Sequence, residues 1–250
     1  MTGKKPMADS FPTLTKNDLD RVIRVCGGAG SGNFGHKGRP GKVGGSQSTG
    51  GGGGKFTKAL SKKFDQMDKL EPSITSTITK ITISTGGAVH GLKNKRKSFD
   101  SALRKAKEYA ELTNANKPDE AVDLLMDLVR YTAVYEPDAF VDSVTEAQRQ
   151  LKEEGWVQYD HKWKNYFKPG NPYNGYNTVF VNSDGFMFEL QFHTPRSVQI
   201  KREVHSLYEE FRTLPEGSPK SKKLYNDMVS MWTSDCRPAG WEKLPGRKME

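Results

Sequence analysis

The sequence predicts an α/β domain of the mixed α+β kind, with helices packed against a mostly five-stranded mixed sheet. Three observations predict it. Segments of helical periodicity alternate with short β-branched and aromatic runs. The last two such runs are separated only by Asn182-Ser183-Asp184-Gly185, which has the chemistry of a tight hairpin turn. Helices alternating with strands and closing on a hairpin suit a mixed sheet with helices laid on it.

The elements follow in order. Residues 1–54 read as a flexible glycine-rich segment, with one short helix near Ser10–Val25 capped at Thr15 or Asn17. Half of Gly27–Gly54 is glycine, which loses much backbone entropy on ordering and here has little to bury in return. Within it, Gly30–Phe34 resembles a phosphate loop only in its glycines, because no strand precedes it and no Lys-Ser/Thr pair follows. The domain is expected over 55–232. Lys55–Leu70 carries Phe56, Leu60, Phe64 and Met67 at helical spacing, with Pro72 just beyond its end. Ser73–Ser84 alternates threonine and isoleucine and reads as a strand. A basic loop from His90 to Lys97 leads to a helix over Ser98–Leu112, with Ser98 as its N-cap. A helical turn at Asp119–Met126 enters a strand starting at Asp127. Asp138–Glu154 is an amphipathic helix stopped by Gly155, and Trp156–Trp163 a further strand. The hairpin pairs Asn177–Val181 with Phe186–Thr194, and Pro195 opens a long helix to Arg212. Leu224–Trp232 is a last short helix, and 233–250 a loose polar tail.

Charge narrows the partners. The chain carries 39 basic and 30 acidic residues, a formal net charge of +9, which favours an anionic partner such as a nucleotide, a nucleic acid or an acidic surface. Its two cysteines, Cys26 and Cys236, lie far apart and lack metal-ligand spacing, as expected in a reducing cytoplasm. No apolar run is long enough to span a membrane, so no membrane partner is expected.

Four groups could carry chemistry. Lys95 and Lys97, then Ser101, Arg104 and Lys105 one helix turn apart, form either a polyphosphate cradle or a solvated basic face. Asp127 heads an apolar strand, as a Mg2+ anchor would, or is a solvent-exposed acid at a helix end. Glu189 lies mid-strand between Phe188 and Leu190. It reads as a second Mg2+ ligand, a general base for a hydroxyl, or the outward acid of an edge strand. On that strand Phe186, Phe188, Leu190 and Phe192 share one face, and Met187, Glu189, Gln191 and His193 the other. Tyr176, after Asn174-Gly175, is either a ring for base stacking or a turn aromatic closing the core. His193 and His205 lack companions for a zinc site.

Together these residues resemble the synthetase domain of the RelA/SpoT family, the alarmone pyrophosphokinases, over about Thr79–Arg212. Lys95, Lys97, Ser101 and Lys105 match the ATP-binding pattern, Asp127 the Mg2+ aspartate, and Asn174-Gly175-Tyr176 the N-G-Y motif. Glu189-Leu190-Gln191-Phe192-His193-Thr194 matches the E-x-Q-x-x-T strand, and His205 a histidine on the following helix. The chain departs from the pattern at Lys95 and His193, where arginine is usual, at Phe180, where histidine is common, and near Pro172, where a lysine is missing. The resemblance implies a nucleotidyltransferase-like fold and a Mg2+-dependent transfer of the β,γ-pyrophosphate of ATP to a ribose 3′-hydroxyl. The acceptor would be a nucleotide (GDP, GTP or ATP) or the tRNA 3′ end. It implies ATP contacts from Lys95, Lys97, Ser101, Arg104 and Lys105, and Mg2+ on Asp127 and Glu189. Acceptor contacts would come from Asn174, Tyr176, Gln191, His193 and His205, and no hydrolase activity is expected. A second likeness, of GSGNFGHKGRPGKVGGS to a segment of bacteriophage head-morphogenesis proteins, would imply a phage-encoded chain or a virion association. Two other classes compete: a nucleic-acid-binding head protein, and an ADP-ribosyltransferase-type toxin suggested by Ser84-Thr85-Gly86.

Overall fold

The computed structural model describes residues 52–113, 117–159 and 164–246. The expected N-terminal helix, Cys26, the Gly30–Phe34 fragment and the segment resembling phage head proteins lie outside these residues.

The first described element, α1 (Gly52–Ser84), is a single helix of 33 residues that contains Pro72. It replaces the expected helix and strand. Its buried residues, Ala59, Leu60, Met67, Glu71, Ile74, Ile78, Ile81 and Thr82, recur at the three- and four-residue spacing of one helical stripe. The β-branched run from Ser73 favours a strand locally, yet Ile74, Ile78 and Ile81 also satisfy the helical period. Burial of that stripe against the domain decides between them. Proline removes one helical N–H, and beside it the Ser73 hydroxyl donates to the Leu70 carbonyl at 2.8 Å. Ser84 and Thr85 donate their hydroxyls to the Ile81 carbonyl (3.0 and 2.7 Å). The Ser-Thr-Gly fragment is therefore a helix end and not a strand-borne motif.

A short strand, β1 (Ala88–His90), follows where only a loop was expected. Then come α2 (Phe99–Thr113), α3 (Pro118–Asp123), β2 (Arg130–Val134) and α4 (Phe140–Glu153). Gly155 ends α4 at φ 86, a conformation that costs glycine little. Two two-residue strands, β3 (Val157–Gln158) and β4 (Lys164–Asn165), precede the hairpin β5 (Tyr176–Val181) and β6 (Met187–His193). Of the expected strand to Trp163, only β3 is a strand among the described residues. The expected helix to Arg212 is two helices, α5 (Pro195–Glu203) and α6 (His205–Phe211), meeting at Val204. The last helix is α7 (Pro219–Met231).

The sheet is mixed, as expected, but has six strands, in the order β1-β2-β6-β5-β3 with β4 also paired to β5. β2 runs parallel to β6, and the other pairings are antiparallel. Phe188, Leu190 and Phe192 face the main core, where Phe188 meets Trp156 edge-on at 4.8 Å and stacks with Phe180 at 5.6 Å. A second core gathers Ile200, Val204, Phe211, Leu224, Met228 and Trp232 from α5, α6 and α7. The segment after Asp235, expected to be loose, is packed through buried Cys236 and Leu244, and the Asn165 amide donates to the Trp241 carbonyl at 2.8 Å.

In α1 the helical stripe buries one isoleucine of the Thr/Ile run and leaves another exposed. Ile78 is 1% exposed and Ile83 is 64% exposed. Ile78→Ala is expected to destabilise the protein by about 2–4 kcal/mol, and Ile83→Ala by less than about 0.5 kcal/mol. Urea denaturation of the two variants measures both.

Candidate active site

The site is set by strand register. Parallel pairing of β2 and β6 places Arg130 opposite Glu189. Asp127 lies three residues before Arg130, in the stretch that enters β2. The basic loop is laced onto that stretch: the Arg130 amide donates to the Lys95 carbonyl (2.7 Å) and the Lys97 amide to the Leu128 carbonyl (2.9 Å). Lys97 is thereby held beside Asp127, with Nζ 3.0 Å from Oδ2. Lys105 comes from α2 and places its Nζ 3.0 Å from Asp127 Oδ1. Arg130 then bridges the two acids, with Nη2 3.0 Å from Asp127 Oδ2 and Nε 2.6 Å from Glu189 Oε2.

The other oxygen of Glu189 accepts from Gln191 Nε2 (3.0 Å) and Asn177 Nδ2 (3.3 Å). Further along the same face of β6, His193 Nε2 shares a hydrogen bond with the Tyr173 hydroxyl (2.9 Å) and Nδ1 one with Ser197 Oγ (2.9 Å). Ser197 also completes the capping box of α5 with Thr194, so the histidine is tied to the start of that helix. Lys201, two turns on, reaches back to donate to Gln191 Oε1 at 2.5 Å. All seven residues of β6 are buried, so its polar face is an enclosed wall and not a solvated edge.

The charges perturb one another. Burial opposes ionisation of Asp127, but Lys105, Lys97 and Arg130 hold its carboxyl far below the ordinary carboxylate range. Burial pushes the Lys97 ammonium down, and Asp127 offsets part of that. Arg130 stays charged despite burial because Glu189 and Asp127 flank it. Burial, then Lys201 and His90, hold His193 neutral. Lys201 is half-buried as a residue, but its ammonium end is enclosed. Burial, then Arg130, push it down to about 7.

The structure brings together Lys97, Lys105, Asp127, Glu189, Gln191 and His193 of the expected residues. It disperses others. Lys95 turns away to pair with Glu71 at 3.0 Å. Ser101 is half-buried on α2, and Arg104 is exposed, its closest acid being Glu108 at 3.8 Å. His205 is exposed at the start of α6. Asn174 is buried, its Nδ2 donating to the Asn171 carbonyl at 3.4 Å. Tyr176 corrects the stacking expectation: it is fully buried and stacks on Phe192 at 5.9 Å, because the hairpin register puts both on the core face. Phe180 lies in that same core, and the Pro172 carbonyl accepts from Trp232 Nε1 at 2.6 Å.

Sequence reasoning missed Arg130, Tyr173, Asn177, Ser197 and Lys201. Arginine heading a short run of strand residues was a readable signal for the first. Asn177 was recoverable from hairpin register. The partners of Tyr173, Ser197 and Lys201 depend on how α5 docks, which no local pattern encodes.

Asp127 and Glu189 flank one guanidinium, a donor set that suits a Mg2+ ion arriving with phosphates and keeping its waters. Among the described residues no group of three or more histidine, cysteine or acidic residues forms a metal cage. No helix among them is long and apolar enough to cross a membrane.

No family model and no curated protein matches the chain. Among solved structures it is similar to the Type VI effector Tas1 in the complex with its immunity protein. The likeness has 18% identity and a TM-score of 0.51, covering 71% of this chain and 96% of that one. It is also similar to small alarmone synthetases 1 and 2 from Bacillus subtilis. These are 16% and 17% identical, with TM-scores of 0.45 and 0.46, each match covering 71% of this chain and 90% of the other. The likeness to the effector is one of fold, a mixed sheet with helices packed on it.

Lys201 makes stability depend on pH in a defined window. Its ammonium is ordinary in the unfolded chain, near 10.4, and depressed to about 7 in the folded one. Below pH 7 both states hold the proton and Lys201 adds no slope. Between about pH 7 and 10.4 the unfolded chain holds more protons, so this group makes stability rise with pH. Lys201→Met is expected to flatten that rise, as read from urea midpoints at pH 7 and pH 9.5.

Proposed function

We propose that the chain is a pyrophosphokinase that transfers the β,γ-pyrophosphate of ATP to the ribose 3′-hydroxyl of a nucleotide or of a tRNA 3′ end. The observation that carries this reading is the row Lys105–Asp127–Arg130–Glu189, in which two buried carboxylates sit one guanidinium apart between cations and a polar strand face. Phosphate-binding cations stand on one side of the acids, and hydrogen-bonding groups for a second substrate stand on the other. The likeness of fold and the sequence motifs support the same assignment.

In this reading Lys97 and Lys105 exchange Asp127 for the ATP phosphates as the nucleotide binds. Mg2+, held by Asp127 and Glu189 with those phosphates, would supply charge neutralisation at the transferring group. Glu189, oriented by Arg130, Asn177 and Gln191, takes the proton from the acceptor's 3′-hydroxyl. The 3′-oxygen attacks the β-phosphorus of ATP. The bond from that phosphorus to the α,β-bridging oxygen breaks, and AMP leaves with that oxygen. Gln191 and His193 line the acceptor side. Lys95, Ser101 and Arg104 remain candidates for the outer edge of the ATP site, and Asn174 and His205 for that of the acceptor site.

The test is AMP release and 3′-pyrophosphorylated product from labelled ATP, with a panel of GDP, GTP, ATP and tRNA as acceptors. Glu189→Gln is expected to lower kcat by about 10²–10⁴-fold while the far-UV spectrum stays near wild type. Near-normal turnover of that variant would remove Glu189 from the reaction. Loss of NAD without AMP release would instead indicate an ADP-ribosyltransferase. Salt-sensitive nucleic-acid binding without turnover would indicate a binding protein.

A further inference from the structure

A buried row of hydrogen bonds runs from the start of α5 to Glu189, and Tyr173 stands at its middle without a part in the reaction above. Ser197 Oγ lies 2.9 Å from His193 Nδ1, and His193 Nε2 lies 2.9 Å from the Tyr173 hydroxyl. That hydroxyl is 3.0 Å from Asn177 Oδ1, and Asn177 Nδ2 is 3.3 Å from Glu189 Oε1. Every one of these residues is buried, so their polar atoms must find partners within the row and among its immediate neighbours.

One arrangement of protons satisfies the row. Glu189, paired with Arg130, is a carboxylate and only accepts. Asn177 therefore turns Nδ2 toward it, because a flipped amide would set two acceptors 3.3 Å apart. Asn177 Oδ1 is left to face Tyr173 and takes its hydroxyl proton. The Tyr173 oxygen then accepts from His193, which is held neutral and carries its ring proton on Nε2. Bare Nδ1 accepts from the Ser197 hydroxyl, whose oxygen accepts from the Thr194 amide at 2.8 Å. Every bond thus donates in one sense, toward Glu189, and bonds aligned in this way polarise one another. We infer that Tyr173 is a positioning residue: through Asn177 it fixes the carboxylate of Glu189, and through His193 it ties that carboxylate to α5. With Oε1 taken by Asn177 and Gln191, Oε2 beside Arg130 is the oxygen left for the acceptor's proton. The role rests on the proposed reaction, whereas the proton arrangement stands without it.

Tyr173→Phe removes the hydroxyl and keeps the ring, which packs edge-on against Tyr166 and Trp232. Ring-nitrogen NMR of the full chain, with the His193 signals assigned by their loss in His193→Gln, is expected to show the Nε2–H tautomer in the wild type. In Tyr173→Phe the Nδ1–H tautomer is expected. There Lys201 Nζ, at 3.5 Å, is the donor left to Nε2, and Ser197 Oγ can give its proton to the Thr194 carbonyl at 3.0 Å. With the acceptor panel, kcat is expected to fall by about five- to twentyfold and the acceptor's KM to stay within about twofold. Asn177→Ala is expected to lower kcat at least as much, and adding Tyr173→Phe to it to change kcat by less than about twofold. A wild-type His193 protonated on Nδ1 overturns the proton arrangement. An unchanged kcat, a rise in KM alone, or additive losses in the double variant overturn the positioning role. If wild-type protein releases no AMP with any acceptor, the reaction is wrong and the role falls with it, while the tautomer still decides the proton arrangement.

Discussion

The structure of the site depends on one guanidinium. Arg130 bonds Asp127 through Nη2 and Glu189 through Nε, and thereby joins the entry of β2 to the middle of β6. The bridge exists only in one register. Parallel pairing sets Arg130 opposite Glu189, and a slip by one residue would turn one of them into the apolar core. Removing Arg130 would take from buried Glu189 its ion-pair partner, a change of the kind that costs about 3–5 kcal/mol. The register is secured from beneath, where Phe188, Leu190 and Phe192 fill the core that Tyr131 and Tyr135 also enter. Packing on one face of β6 fixes the electrostatics on the other.

The local charges do not balance. Lys97, Lys105 and Arg130 gather around Asp127 and Glu189, three cations against two carboxylates. Such an excess in a partly dehydrated site is unfavourable for folding and favourable for polyanion binding. Asp127 tempers it by serving Lys97, Lys105 and Arg130 at once, which is why its carboxyl lies so far below the ordinary range. The self-pairing also limits how tightly a phosphate can bind, since every new cation–phosphate contact first breaks a cation–carboxylate one.

How much of this was legible in the sequence can be judged from single residues. The β5–β6 hairpin was readable because period-2 alternation and a turn ending in Gly185 agree. Register then offered more than was taken from it. Pairing Val181 with Met187 across the turn obliges Tyr176 to meet Phe192 and Asn177 to meet Gln191. Phe192 already belonged to the apolar face, so Tyr176 had to share the core and Asn177 the site. In α1 the local signal misled, because a Thr/Ile run satisfies both periods and only the neighbouring helices and sheet choose between them. Lys95 failed differently: two residues apart in a loop need not face alike, and Glu71 on the same misread helix captures it. Lys201 had no local signal, since its meaning comes from helix α5 folding back over the strand.

The two halves of the site differ in how they are prepared. On the side that the proposed reaction gives to the acceptor, the wall is fixed. Gly175 can carry no side chain, because a Cβ there would come within 2.7 Å of His193 Cε1 and 2.8 Å of the Tyr173 hydroxyl. That clearance lets Tyr173 bond His193, which bonds Ser197, which caps the helix that carries Lys201. A ligand entering beside this wall would meet groups already in place, and little ordering entropy would be lost there. On the donor side the same cations that would take phosphates are engaged with Asp127, and binding is an exchange of partners. Under the proposed reaction, this asymmetry assigns the discriminating role to the rigid acceptor wall. In that reaction the donor pocket would gain its grip only as ATP and its cation displace the internal ion pairs.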